Sequence, residues 1–305
     1  MTTQTTNNLL MIRPCQFAFN EETAVNNAFQ APTGDPEVQS KALAEFNRMT
    51  ELIESHDIDV LVVDDTPTPA TPDAIFPNNW VSFHSNGTAI LYPMFAPSRR
   101  RERKSEVLEK VRDIFKIRHI LNLSDFEKQE MFLEGTGSMV LDRVNHLAYA
   151  CLSRRTNKKV LEEFCRKMSY KPVVFEASDH FGQPIYHTNV MMSIGEKFCV
   201  ICLDSIRNEQ QREMVKKELT RTQKEIIEID EQQMARFAGN ILQVRSRRGD
   251  RFIIMSSTAH AAFSPDQLQA LGKHGKILHS DIPTIELNGG GSARCMIAEI
   301  YLPGY

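Results

Sequence analysis

NGGGSARCM, Asn288 to Met296, sets three consecutive glycines shortly before a cysteine at the head of the last apolar run of the chain. Consecutive glycines permit positive φ and close backbone approach to a ligand, and they leave N–H groups free to meet a developing negative charge. A cysteine after a glycine turn is, by default, a small core residue. A reactive one needs its thiolate, and a partner that donates and accepts protons as a leaving group departs. The segment therefore directs attention outward, toward a base and toward a group that orients that base.

Histidine is the natural base. Of the nine in the chain, His187 in PIYHTNVMMSI stands at the mouth of an apolar run, whereas His84, His119, His146 and His274 lie in polar surroundings that suit surface loops. The third element is Glu134 in FLEGTGSMVLD, an acid that closes one apolar run with glycines behind it. A carboxylate there can orient an imidazole or stabilise its cation. Each residue alone has an ordinary reading: an exposed or structural histidine at a strand end, and a turn glutamate facing water.

Composition removes several classes of function. With 305 residues, 41% apolar and 25% charged, the chain is long enough for a sizeable core and sits near the averages for globular proteins. A net charge of -3 gives no footprint for nucleic acid, whose binding rests on phosphate neutralisation. The one basic cluster, Arg99, Arg100, Arg101, Arg103 and Lys104, runs into Glu102, Glu106 and Glu109 and reads as a solvated helix start. The opening MTTQTTNN has neither a basic nor an apolar leader region, and no apolar stretch is long enough to span a bilayer, so a cytoplasmic protein without a membrane partner is expected. Six scattered cysteines suit a reducing compartment. Cys199 and Cys202 have CxxC spacing but lie inside FCVICLD with no second pair, which reads as core thiols, and no metal is expected. No GxGxxG or GxxxxGK[ST] pattern is present, so no nucleotide cofactor is expected.

Buried strands are expected at 58–63, 88–91, 138–141, 189–194, 197–203, 251–255 and 296–302, and helices at 35–55, 102–115, 157–168, 208–220 and 265–272. The last helix carries Ser264 as N-cap, Pro265 at the first position and Gln267 at the capping-box position. Alternation over the whole length predicts an α/β chain with no composition shift to mark a domain boundary. TPTPATPD, Thr66 to Asp73, reads as a rigid loop. Periodicity leaves both an open doubly wound sheet and a closed propeller of repeated units available.

In this order LEGTG, HTN and NGGGSARCM resemble the amidinotransferase and arginine deiminase superfamily, the pentein fold. MIRP at Met11 to Pro14 looks like that family's first strand, DAIFPNN at Asp73 to Asn79 like its guanidinium-binding segment, and LSRRTN at Leu152 to Asn157 like a substrate loop of the dimethylarginine hydrolases. Among subgroups, FPNNW, HTN and NGGGSARCM look most like the citrulline-utilisation hydrolases, often described as arginine deiminase-related. The resemblance implies a five-bladed pseudo-symmetric α/β propeller formed by one catalytic domain over residues 1–305. It implies Cys295 as nucleophile, His187 as general acid and base, and Glu134 as supporting acid. Arg154 and Arg155 would hold a substrate carboxylate, Asp73 would meet an α-amino group, and Asn288 would join the substrate-binding set. Gly289, Gly290 and Gly291, or an asparagine amide, would meet the oxyanion. The partner implied is a small amino acid, and assembly into a homo-oligomer is left open.

One departure from the family pattern sharpens the expectation. Relatives that act on arginine present carboxylates at positions matching Asn78 or Asn79 and Asn189, and here all three are asparagines. A guanidinium offers only donors and a full positive charge, whereas a ureido group is neutral and carries one carbonyl acceptor. The expectation is hydrolysis of citrulline to ornithine, ammonia and carbon dioxide. The alternatives are an arginine deiminase or dihydrolase, served by the charges of Glu134 and Asp73, or an amidinotransferase. A non-catalytic binding protein on the same fold, as the ribosome anti-association translation factor is, would lack the cysteine, histidine and acid set.

Overall fold

The computed structural model describes residues 3–305. Among the described residues, fifteen strands form five sheets of three. In chain order they are β1 (Asn8–Arg13), β2 (Asp59–Asp64), β3 (Val81–Phe83), β4 (Thr88–Leu91), β5 (His119–Asn122), β6 (Val140–Asp142), β7 (Leu147–Cys151), β8 (Lys171–Phe175), β9 (Met192–Ile194), β10 (Phe198–Ile201), β11 (Glu225–Glu228), β12 (Leu242–Arg245), β13 (Arg251–Ser256), β14 (Lys276–Ser280) and β15 (Ala298–Glu299). The middle strand of every sheet, β1, β4, β7, β10 or β13, pairs antiparallel with one neighbour and parallel with the other. A parallel partner needs a crossover, and each one carries a helix: Val38–Glu54, Ser105–Arg112, Lys158–Met168, Glu209–Arg221 and Pro265–Gly272 in turn. The first sheet is completed by the end of the chain, with Leu9 opposite Glu299 and Leu10 opposite Ala298.

The crossover helices are held by apolar stripes. Val38–Glu54 buries Ala42, Phe46, Met49 and Ile53, spaced at three and four residues along one face, each worth about 1.5–3 kcal/mol for a large side chain. The same helix buries Glu45, whose carboxylate accepts from Thr284 N and Ile285 N at 3.0 Å each and so caps the helix Pro283–Gly289. That ion-to-dipole contact fixes the glycine run behind Cys295 to the rest of the fold. The expected Ser264 and Gln267 capping box is formed at the start of Pro265–Gly272. Cys199 and Cys202 are buried, as read from the sequence. No helix among the described residues is long and apolar enough to cross a membrane.

Three apolar runs expected as strands are instead split. The run at 189–194 is a helical turn, Thr188–Met191, followed by β9, because Thr188 Oγ1 turns inward to donate to Ser138 O at 2.6 Å. The run at 138–141 likewise begins as the turn Gly135–Ser138 before β6. Within 296–302 only Ala298 and Glu299 pair as a strand; Cys295 lies in a turn closed by its own N–H on Ser292 O. Burial rather than strand pairing made these runs apolar. Strand 197–203 shortens to Phe198–Ile201, and helices 35–55 and 102–115 shorten to Val38–Glu54 and Ser105–Arg112.

The basic cluster is a second correction. Arg99 and Glu102 are buried, not solvated, and are joined at 2.9 Å, while Arg103 pairs with Glu127 and Lys104 with Asp65 at 2.6 Å each. The spacing of opposite charges matched an exposed helix face, but the chain bends between two short helices and folds Arg99 inward. His84 is also buried, on Ser82 Oγ at 2.8 Å, rather than in a surface loop.

Candidate active site

The site is assembled by the five turns that lead into the first-paired strand of each sheet. Asn78 and Asn79 precede β3, Glu134 precedes β6, His187 and Asn189 precede β9, Asn240 precedes β12 and Cys295 precedes β15. One repeated local event, a turn before a short buried strand, thus brings together residues more than 200 positions apart. Loops on a rigid scaffold are where reactive groups are most easily placed.

Glu134 is fully buried. Its Oε2 accepts from His187 Nε2 at 2.8 Å, its Oε1 accepts from Phe95 N at 2.9 Å, and Arg155 Nη1 stands 3.5 Å away. Burial alone would raise the carboxyl, but Arg155, His187 and Arg99 outweigh it and hold the group well below the usual carboxylate range. At His187, by contrast, burial prevails, lowering it to about 4 against the pull of Glu134. The imidazole is therefore neutral at pH 7. A carboxylate can only accept, so the ring proton sits on Nε2 and Nδ1 carries the free lone pair.

Cys295 is buried and its Sγ receives two amide donors, Asn189 Nδ2 at 3.4 Å and Asn240 Nδ2 at 3.3 Å. Asn240 Oδ1 accepts from Arg294 N at 3.1 Å, which fixes the amide with its NH2 toward the sulfur. Gly137 is required by close approach: a β-carbon there would stand 2.3 Å from Asn79 Nδ2 and 2.8 Å from His187 Nδ1.

Cys295 and His187 open onto a narrow cavity of about 20 Å³, whose walls include Thr23, Asp73, Asn79 and Arg99. Asp73 is buried, accepts from Asn20 Nδ2 at 2.7 Å and from Thr23 Oγ1 at 3.3 Å, and keeps Oδ1 without a partner. Burial raises its carboxyl, opposed by Arg99. Arg155 lines the same cavity, but its guanidinium is engaged by Thr23 O at 2.7 Å, by Asn26 Oδ1 and by Glu134.

Other expected residues stand apart. Arg154 is exposed, over the Phe95 ring at 5.3 Å, and borders the outer groove. Asn288 is turned away, donating to Thr284 O at 3.0 Å and accepting from Thr33 Oγ1 at 3.0 Å. Asn78 is buried with neither amide atom partnered. Gly289, Gly290 and Gly291 do form a wall of the cavity. Gly290, at φ +63, ends the helix and spends its N–H on Glu286 O at 2.9 Å, so it is not a free oxyanion donor as expected.

Two residues at the site escaped the sequence reading. Asn240 sits in AGNIL, with no neighbouring signal. Arg99 was legible as a charge but not as a buried one; the clue was its separation of three residues from Glu102, which a buried bidentate pair satisfies as well as an exposed helix does.

The family described as N,N dimethylarginine dimethylhydrolase, eukaryotic, matches residues 13–302. Among solved structures, the N-terminal domain of ArgZ, an arginine dihydrolase from the ornithine-ammonia cycle in cyanobacteria, bound to substrate, is 15% identical with a TM-score of 0.76, covering 97% of this chain and 98% of that one. AgrE with L-arginine is 16% identical at a TM-score of 0.76, with 97% and 40% covered. A dimethylarginine hydrolase of Pseudomonas aeruginosa complexed with citrulline is 17% identical at a TM-score of 0.66, with 97% and 99% covered. The chain spans 41% of full-length ArgZ. No curated protein is similar enough in sequence to match.

Proposed function

The chain belongs to the N,N dimethylarginine dimethylhydrolase family, within the pentein superfamily of guanidino-group enzymes, and from that premise we propose a cysteine-dependent hydrolase of the C–N bonds of a ureido amino acid. The substrate proposed is citrulline, and the products are ornithine, ammonia and carbon dioxide. The five three-stranded units are read as the blades of one propeller, residues 1–305 forming a single catalytic domain around the site.

The observation that carries the reading is the company of Cys295. Its sulfur takes two amide N–H donors, from Asn189 and Asn240, and Asn79 shares its cavity; all three are neutral. Two guanidinium groups, Arg99 and Arg155, already occupy the surroundings. Those two are paired with Glu102 and Glu134, and among the described residues the one further carboxylate on the cavity wall is Asp73, so a substrate guanidinium would meet amides rather than a carboxylate at the sulfur. A neutral ureido carbon needs no carboxylate there.

The steps follow from the neutral imidazole. His187 Nδ1 takes the thiol proton as Cys295 Sγ attacks the ureido carbon, and Glu134 stabilises the imidazolium. The carbonyl oxygen becomes an oxyanion met by an amide N–H. His187 returns the proton to the terminal nitrogen, the C–N bond breaks and ammonia leaves a thiocarbamate on Cys295. Water deprotonated by His187 cleaves the C–S bond, and the carbamate of ornithine loses carbon dioxide. At the other end, the unpartnered Asp73 Oδ1 meets the α-amino group.

Incubation with citrulline and with arginine, followed by assay of ornithine and ammonia, tests the proposal. Ornithine from citrulline is expected; turnover of arginine to citrulline alone would exclude the ureido reading. A second reading, arginine dihydrolysis, is favoured by the likeness to ArgZ, and would break the same ureido bond after a first hydrolysis at the guanidinium. Two ammonia molecules per ornithine from arginine would select it.

A further inference from the structure

His187 and Cys295 reach the site from different sheets, on the turns before β9 and β15, so the base needs something to hold it at a fixed distance from the sulfur. Among the described residues two hydrogen bonds directly join the segments that carry them. One is the weak contact of Asn189 Nδ2 on Sγ at 3.4 Å; the other runs from Tyr186 Oη to Gly290 O at 2.7 Å. Tyr186 is the residue before the base, and Gly290 lies in the glycine run before the nucleophile. The phenol is buried, and burial pushes it well above the usual tyrosine range, so it stays protonated and donates.

The tyrosine is itself held from several directions. Its carbonyl accepts from Ser153 Oγ at 2.7 Å, its ring stands edge-on to Phe29 with centroids 6.1 Å apart, the Arg155 guanidinium lies 5.0 Å over it, and the His187 ring is 4.7 Å away. Gly290 is no less constrained: it takes φ +63, and a β-carbon there would collide with Asn27 and Gln30. A rigid ring therefore spans from the base to the turn of the nucleophile.

We propose that Tyr186 is the positioning residue that sets the reach between His187 and Cys295, through its hydroxyl on Gly290 O. The inference rests on those two residues acting as base and nucleophile, and it holds for a ureido or a guanidino substrate alike. The imidazole takes the thiol proton, returns it to the leaving nitrogen and later deprotonates water, and each transfer needs Nδ1 within hydrogen-bond reach of a different atom. Groups that drift by about 1 Å lose roughly 100-fold in rate. A glycine turn permits that drift on its own; a short hydrogen bond from the residue adjoining the base removes it.

Tyr186→Phe keeps the ring, with its contacts to Phe29, Arg155 and His187, and deletes only the donor. For whichever of citrulline and arginine the wild type accepts, kcat should fall roughly tenfold to 100-fold with KM within about twofold. The deciding readout is alkylation of Cys295 by iodoacetamide, followed on the Cys295 peptide by mass spectrometry. At pH 7 the imidazole serves as base, and the variant should react at about a tenth of the wild-type rate or slower. At about pH 10 hydroxide replaces the imidazole, and the two proteins should react alike. A merely structural loss would alter both rates together, since access to the sulfur does not depend on which base removes its proton. An unchanged kcat, or a fall in kcat with alkylation slowed equally at both pH values or at neither, overturns the proposal. Alkylation needs no substrate, so an error in the ureido reading leaves this result intact. Full turnover by Cys295→Ala or His187→Gln would overturn the assignment of nucleophile and base instead, without reference to Tyr186.

Discussion

Cys295 lines one cavity and its chain neighbour Arg294 lines another, and the polar groups of the two are treated in opposite ways. On the substrate side, Asp73 Oδ1, Asn79 Nδ2 and both amide atoms of the neighbouring Asn78 are buried without partners. A second small cavity, bounded by Gln4, Arg143, Asn189, Arg294 and Glu299, is knitted together by its charged groups. Arg294 donates to Ile297 O at 2.8 Å and to Glu299 Oε2 at 2.7 Å, Tyr301 donates to Glu299 Oε1 at 2.8 Å and to Gln4 O at 2.6 Å, and the Arg143 guanidinium lies 4.0 Å over the Tyr301 ring. Ser193 Oγ and Asn189 Oδ1 are the unpartnered exceptions there. An unpaired buried polar atom costs about 1–3 kcal/mol, so a fold keeps several together only where something else supplies the partners. The better-satisfied cavity ties the two ends of the chain together through Gln4, Glu299 and Tyr301; the other presents donors and an acceptor that a ligand could match.

Substitutions should separate the two. Cys295→Ala should abolish turnover, by about 10⁴-fold or more, while moving the unfolding free energy by no more than about 1 kcal/mol, since it strands only two weak N–H to sulfur contacts. Ornithine release and urea unfolding measured on one preparation give both numbers. Glu299→Gln should do the reverse. It leaves Arg294 and Arg143 without their carboxylate and should cost about 3–5 kcal/mol of stability, with kcat in the folded fraction changed by less than roughly tenfold. A collapse of kcat at full stability would erase the distinction between the cavities.

The same contrast explains what the sequence could disclose. Cys295, His187 and Glu134 were legible because each stands in a short motif with glycines or an apolar run beside it. Crossover helices such as Val38–Glu54 were legible because a helix buries one stripe and exposes the rest. The short paired strands were not: β3, β6 and β9 have three residues each, all or nearly all buried, so they carry no alternation to count. Arg99 was misread because burial depends on where the chain bends, which a charge pattern does not encode. Asn240 gave no signal at all, its role arising from a sulfur 55 residues away.

Protonation offers a third separation. His187 is lowered from 6.5 to about 4 in the folded protein. Between those values the unfolded chain binds a proton at this position and the folded chain does not, so stability rises with pH across the window and is lost as pH falls through it. The full effect is about 3 kcal/mol. Urea unfolding from pH 7 to pH 4 should therefore show a steeper decline for the wild type than for His187→Gln. Parallel curves would mean that the imidazole is not held neutral beside Glu134.

The smallest expected effect concerns Asn240, which touches both the reacting sulfur and the backbone of Arg294 and so joins the two regions. Asn240→Ala removes one of the two donors on Sγ and leaves Arg294 N and Asn189 O short of a partner. Loss of a single preorganised donor costs roughly 10 to 100-fold in kcat, less than the loss of an oxyanion donor because sulfur is a weak acceptor. KM should change little, since the side chain does not face the cavity that receives the substrate. Alkylation of Cys295 by iodoacetamide at pH 7 should slow in parallel, because the thiolate keeps only the Asn189 donor. Slower turnover with unchanged alkylation would assign Asn240 to holding the turn, on the structural side of the comparison, rather than to preparing the nucleophile.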